Sequence, residues 1–332
     1  MFQTAVSLFS LPTSTATLCR RVLLCVPLLV GCKGSKTVLD TGADSEDSET
    51  TSEDDNVAWE ALSLESSVTL SGGFASGAGF YAVGEDGEVY VRAEGEWRQE
   101  GVNADEPLNG IWGVRTNDIN YAMAVGDGGL VARLDDMGWT SQQELNTANM
   151  EAVTSVDGTT FIAVGWGGAY IYEDGEWNFQ DMDGNVQFND VWSDGSNTVA
   201  VGQDGLIATM NADGTWALEN LPSRVALHSV SGTGRNNIWA TGEDGTVLHN
   251  MGDGWELLEV DTDTTLWSVL SLTDDASYIV GNSGTTIRHD GTDYEVLESG
   301  VDNNLYDVSS SQSGVVWAVG NRGATLRLRS GF

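Results

Sequence analysis

Seven short turns carry most of the residues that could do chemistry. Each has the form Gly-x-x-Gly, and their central positions hold Glu85, Asp86, Asp127, Trp166, Asp204, Glu243 and Asp244. Carboxylates gathered at turns attract cations or a basic partner. An aromatic at a tight turn, Trp166, is a contact platform for a sugar or a protein. These seven residues form the candidate binding face. Imidazole and thiol chemistry has little material, with 3 His and 3 Cys in 332 residues. Cys19, Cys25 and Cys32 all lie near the N-terminus, so no disulfide framework and no cysteine zinc site is expected in the body. Asp181-Met182-Asp183-Gly184 hints at a calcium loop, but Phe179 stands where the first ligand belongs. No metal site, no cofactor and no catalytic residue is therefore assigned. With 50 acidic against 14 basic residues and a net charge of -36, the chain is not a reader of nucleic acid, whose phosphates need clustered Lys and Arg.

The elements that must hold these turns repeat. The glycine pairs are Gly84/Gly87, Gly126/Gly129, Gly165/Gly168, Gly202/Gly205, Gly242/Gly245, Gly281/Gly284 and Gly320/Gly323, and their first members are spaced by 37–42 residues. An apolar run precedes each pair, as in Tyr81-Ala82-Val83 and Trp317-Ala318-Val319, and reads as a strand covered on both faces. Gly-x-x-Gly reads as a hairpin in which glycine supplies positive φ. A third strand follows, then a turn such as Asp253-Gly254, then an aromatic that marks the fourth strand: Trp97, Trp139, Trp177, Trp216, Trp255 and Tyr294. Four strands per repeat, seven times, predict an all-β, seven-bladed β-propeller over residues 57–332. The last repeat ends before its fourth strand. Trp59 lies one period before Trp97 and fits that empty place. An N-terminal strand is thus expected to pair beside Ala324–Arg329 and close the ring, removing exposed edges. The tryptophans of the first strands, Trp112, Trp192 and Trp267, are expected in the core.

The first 56 residues read differently. Residues 1–31 hold no acid, and Arg20-Arg21 precede a nine-residue apolar run, Val22–Val30, too short to span a bilayer. The run ends Leu29-Val30-Gly31-Cys32, which resembles the lipobox of bacterial lipoproteins. That resemblance implies cleavage of a 1–31 signal peptide and acylation of Cys32, which would anchor the chain to a lipid bilayer. Lys33 after the cysteine implies, by the same resemblance, the outer membrane. Residues 37–56 carry eight acids among Ser and Thr and read, within 32–56, as a solvated tether.

The unit Trp317-Ala318-Val319-Gly320-x-x-Gly323, with turns such as Asp253-Gly254-Trp255, resembles two propeller groups. One is the photosystem II stability and assembly factor family. The other is the Asp-box group that includes sialidases. The first implies a chaperone-like, protein-binding role and an Arg-rich patch. The second implies converging arginines beside a nucleophile and an acid/base. Here Arg115 and Arg235 fall in loops between first and second strands. Arg133, Arg288 and Arg327 fall on third strands, with His249 at the matching position. The expected function is a lipid-anchored, monomeric binding or assembly module at the bacterial envelope that engages a protein or glycan. The alternative is an envelope glycoside hydrolase or polysaccharide lyase.

Overall fold

Apolar runs that alternate with tight turns every few residues leave the chain only short antiparallel strands to form. The computed structural model describes residues 58–329 except 63, 77–78, 103, 116–119, 136, 144, 146–147, 183–184 and 222–223. The signal segment, Cys32 and the acidic tether lie outside the described residues, as does Asp183-Gly184. Each repeat forms one four-stranded antiparallel sheet, a blade, whose strands follow chain order from the inside outward. The innermost strands are Leu70–Ser76, Leu108–Arg115, Met150–Ser155, Phe188–Ser193, Leu227–Gly234, Leu266–Thr273 and Leu305–Ser310 for blades 1 to 7. Each packs against the next, and the last packs against the first, so the seven blades close a ring around a central channel.

The propeller closes as the repeat period requires. Blade 7 takes its outer strand from the N-terminus: Ala58–Ala61 pairs antiparallel with Thr325–Arg329, placing Trp59 opposite Leu328 and Ala61 opposite Leu326. Arg327 bonds Glu60 across this pair at 2.6 Å.

The core is divided between blades rather than within one centre. Seven apolar clusters fill the seven gaps between neighbouring blades. Second strands such as Phe161–Gly165 and Thr198–Gly202 are buried along their whole length because each lies between two such gaps. At the closing gap, Phe80 of blade 1 stacks on Trp317 of blade 7 with ring centroids 4.8 Å apart. Outer-strand tryptophans cover the gaps from the rim. Trp139 Nε1 donates to Glu100 and Trp216 Nε1 to Gln180, each on the outer strand of the preceding blade.

The two glycines of each turn do different work, which corrects one expectation. The first is extended, with φ of -164° at both Gly126 and Gly202. It is glycine because the carbonyl just before the inner strand lies against it: a Cβ on Gly202 would stand 2.0 Å from Gln187 O. Positive φ falls instead on the second glycine, as at Gly205 (φ 68°), and on the residue before it, as at Asp204 (φ 57°).

Candidate functional site

In every blade the first residue of the inner strand pairs with the first glycine of the turn, and a register shift follows at once. Leu70 faces Gly84, but Gly72, not Ser71, faces Val83. The same bulge recurs in the other six blades. A bulge leaves one residue unpaired and re-aims its side chain. Here that residue is Ser71, Asn109, Glu151, Asn189, His228, Trp267 or Tyr306, and all seven line a cavity of about 130 Å³ at the end of the channel nearest the turns. Trp267 is therefore a channel residue, not the core residue expected from sequence.

Five of these side chains bond back into the protein. Ser71 Oγ donates to Leu108 O (2.7 Å), Asn189 Nδ2 to Leu227 O (2.7 Å) and Asn109 Nδ2 to Met150 O (3.0 Å), each reaching the next blade. Asn109 Nδ2 also donates to Asp127 (2.9 Å), Trp267 Nε1 donates to Asn282 (2.7 Å), and Glu151 accepts from Gln187 Nε2 (2.9 Å). His228, Trp267 and Tyr306 form an aromatic wall over three consecutive blades, with centroid separations of 4.2 and 5.4 Å. Burial pushes the His228 imidazole below its usual range, against the opposing pull of Glu243. Burial, and then the charge of Asp127, raise the Glu151 carboxyl.

Below this ring lies a waist. Ser229 Oγ donates to Asp190 (2.9 Å), Ser268 Oγ donates to Asp307 (2.9 Å), and Gly73 N donates to Asp307 (2.8 Å). Val269 N and Val308 N donate in turn to Ser229 Oγ and Ser268 Oγ, so blades 4, 5, 6, 7 and 1 are laced together. In blades 1 to 3 the matching residues are Gly72, Gly110 and Ala152. There the strands approach backbone to backbone: a Cβ on Gly110 would stand 2.6 Å from Glu151 O. Beyond the waist a second chamber of about 330 Å³ opens toward the opposite face, with Phe74, Trp112 and Leu270 in its wall.

Asp190 and Asp307 keep a little surface toward the two chambers but lie deep in the disk. Burial outweighs their hydrogen bonds and pushes Asp190 up to about 7 and Asp307 to about 6, with Asp307 adding its charge to the rise at Asp190. The folded chain thus holds protons that the unfolded chain, with aspartates near 3.9, has released. It binds more protons than the unfolded chain between about pH 4 and 7, so stability falls as pH rises through that window and levels off above it. Asp190→Asn is expected to flatten this slope between pH 5 and 7.5, by on the order of 2 kcal/mol. Urea unfolding across that range in both proteins checks it; parallel curves would refute the assignment.

The seven residues of the sequence-derived face all lie on the turns that share this end of the channel, but they divide in two. The first central position bears on the ring in blades 2 and 5. Asp127 bonds the ring residue Asn109, Glu243 bears on His228, and Trp166 bridges through its backbone to Gln187, which bonds Glu151. Glu85, also at that position, accepts from Thr69 N just before the inner strand. Trp166 is 54 % exposed. The second position leaves the mouth: Asp86 accepts from Tyr90 OH of the third strand, and Asp204 and Asp244 are exposed in left-handed backbone. The bulged ring itself was missed by the sequence reading.

The arginines do not converge. Arg133 lies over the Tyr172 ring of the next blade, Arg327 lies over Trp317, and Arg235 lies at a cavity on the opposite face with His249 and Asp274. Arg115 is the last residue of its inner strand, paired with Asn120, rather than in the loop expected from sequence. Among the described residues, no group of three or more His, Cys, Asp or Glu is arranged to hold a metal, and no helix is long and apolar enough to cross a membrane.

No protein-family profile matches the chain, and no curated protein matches it in sequence. Solved structures do match in three dimensions. YCF48 from Cyanidioschyzon merolae superposes with a TM-score of 0.68 at 17 % identity, covering 82 % of this chain and 99 % of its own. YCF48 bound to D1 peptide gives 0.67 at 17 % identity, covering 82 % and 97 %. A catalytically inactive virginiamycin B lyase from Staphylococcus aureus, with quinupristin, gives 0.71 at 10 % identity, covering 82 % and 99 %. The chain shares their fold. At these identities the likeness extends to the fold, not to the residues of a site.

Proposed function

We propose that the chain is a binding module of the bacterial envelope, monomeric and tethered by lipid on Cys32, that engages a protein partner at the channel mouth on the Gly-x-x-Gly face. The observation that carries this reading is the bulge common to all seven blades, which turns seven side chains of six types into one cavity with Asp127 and Glu243 of the turns beside it. A repeated backbone device that exposes variable side chains on a rigid scaffold suits recognition. YCF48, which has this fold, is known in a form bound to D1 peptide and supports a protein partner. The net charge of -36 favours a partner with a basic surface, and Lys33 after Cys32 supports the outer membrane.

The test immobilises the full chain and passes envelope extract over it. A retained protein should elute with salt, and a variant carrying Asp127→Asn, Trp166→Ala and Glu243→Gln should retain it at least about fivefold less. Metabolic lipid labelling should vanish in Cys32→Ser. Retention of no protein, together with turnover of a glycan panel, would replace this reading with the hydrolase or lyase one. A label that survives Cys32→Ser would remove the anchor.

A further inference from the structure

We infer that the channel mouth is a socket for a single cationic group, a guanidinium or an alkylammonium, presented by the partner; the inference takes its partner from the proposal above but its chemistry from the cavity alone. Most hydrogen-bond donors of the cavity are already spent; His228, the Tyr306 hydroxyl and the second amide hydrogen of Asn189 are the ones left. The hydroxyl of Ser71 and the indole N–H of Trp267 are spent on oxygens of the protein. So are both amide hydrogens of Asn109 and one of Asn189. The partners of the Asn109 amide are a carboxylate and a carbonyl, which fixes its orientation and leaves its oxygen as the group on offer. Acceptors remain: Glu151 receives Gln187 on one oxygen and keeps the other, and the carboxyls of Asp190 and Asp307, which already accept from the waist, form the floor. A ligand that fits such a lining brings N–H groups with it.

The charge agrees. The cavity lining contains no Lys or Arg, and His228, depressed by burial, is neutral at pH 7. Asp127 and Glu243 stand just outside, so the formal charges of the lining and of the turn residues that bear on it are negative. One side of the cavity is the His228–Trp267–Tyr306 wall. Aromatic rings facing a desolvated cation, backed by carboxylates, attract it through their quadrupoles. An anion meets repulsion from every side. A neutral polyol finds the wall but brings no charge to set against Glu151 and the neighbouring Asp127. The volume of about 130 Å³ holds several waters, which one guanidinium or ammonium head can displace.

The experiment titrates the purified full chain by calorimetry and tryptophan fluorescence. The probes are Nα-acetyl-arginine amide, Nα-acetyl-lysine amide and tetramethylammonium. The comparators are Nα-acetyl-norleucine amide, acetate and methyl glucoside. At least one cation should bind saturably, with at least tenfold preference over the neutral amide. Trp267→Ala should weaken it at least tenfold. Glu151→Gln keeps the acceptor for Gln187 and the shape of the side chain, and should weaken it at least fivefold. Met137→Ala, on the opposite face, should leave it unchanged. Equal binding of the norleucine or glucoside comparator, or unchanged cation affinity in Glu151→Gln, would overturn the socket. If cations titrate in while the immobilised chain retains no protein, the socket stands and the partner reading fails. If a protein is retained equally by the parent and Glu151→Gln and no cation titrates, the socket fails and the binding-module reading stands.

Discussion

A chain lacking residues 58–61 will melt far below the full chain, while one lacking residues 37–56 will melt with it. The short N-terminal strand supplies four registered pairs to Thr325–Arg329, and Leu62 N adds a bond to Thr325 O. Trp59 is buried on Leu328 and Leu326 within the cluster shared by blades 6 and 7. Glu60 bonds Arg327, whose guanidinium also lies over Trp317 at the closing gap. Truncating a buried tryptophan costs about 3 kcal/mol, so Trp59→Ala alone should lower the melting temperature by roughly 6–10 °C. Removing the whole strand should cost more, and it uncovers an edge that invites strand pairing with other molecules. Aggregation on heating, followed by light scattering, should therefore begin at a lower temperature. The acidic segment has almost no apolar residues to bury, and its loss relieves self-repulsion. Equal melting temperatures for the two deletions would contradict this account of closure.

Gly202→Ala should be far more damaging than Gly214→Ala, although only the second glycine has a backbone angle that disfavours alanine. Gly202 is extended, so conformational preference does not protect it. A methyl group there would meet Gln187 O at 2.0 Å and Phe188 Cα at 3.0 Å, both backbone atoms at the start of an inner strand. Neither can move without shifting the bulge and the blade behind it. Such overpacking costs at least about 3 kcal/mol. Gly214, at φ 82°, has nothing within 4 Å of the place a methyl group would take, so alanine there costs only the left-handed strain, about 1 kcal/mol. Denaturant unfolding of the two variants separates steric approach from backbone preference. A larger loss in Gly214→Ala would mean that positive φ, not crowding, explains the repeat's glycines.

The fold was legible because its constraints recur on single residue types. Seven glycine pairs, each set by a carbonyl that leaves no room for a methyl group, mark the turns without any need for strand prediction. The orphan Trp59, one period ahead of Trp97, announced the closure that its pairing with Leu328 bears out. The site was legible only in part. Asp127 and Glu243 were chosen, like their neighbours, by their place between two glycines, and they bear on Asn109 and His228. Sequence does not say which of two adjacent turn residues leans toward the channel, so Asp86, Asp204 and Asp244 were not told apart from them. The bulged ring escaped because an inserted residue breaks the two-residue alternation on which face assignment depends. It also leaves no residue signature: Ser71, Glu151 and Trp267 have nothing in common but their position. Trp267 therefore read as core, as an aromatic on an inner strand ordinarily would.

That lack of signature has an evolutionary consequence. The bulged residue lies outside the sheet's pairing and outside the wedge-shaped cores, so beyond its side-chain hydrogen bonds its identity is bound less tightly to the folding of the blade that carries it. Seven sites of this kind, arranged in a circle, can be rewritten one letter at a time while the glycines and the aromatic rim stay fixed. Descendants of one ancestral ring could thus drift to new clients without passing through an unfolded intermediate, each inheriting the frame and altering only the inscription.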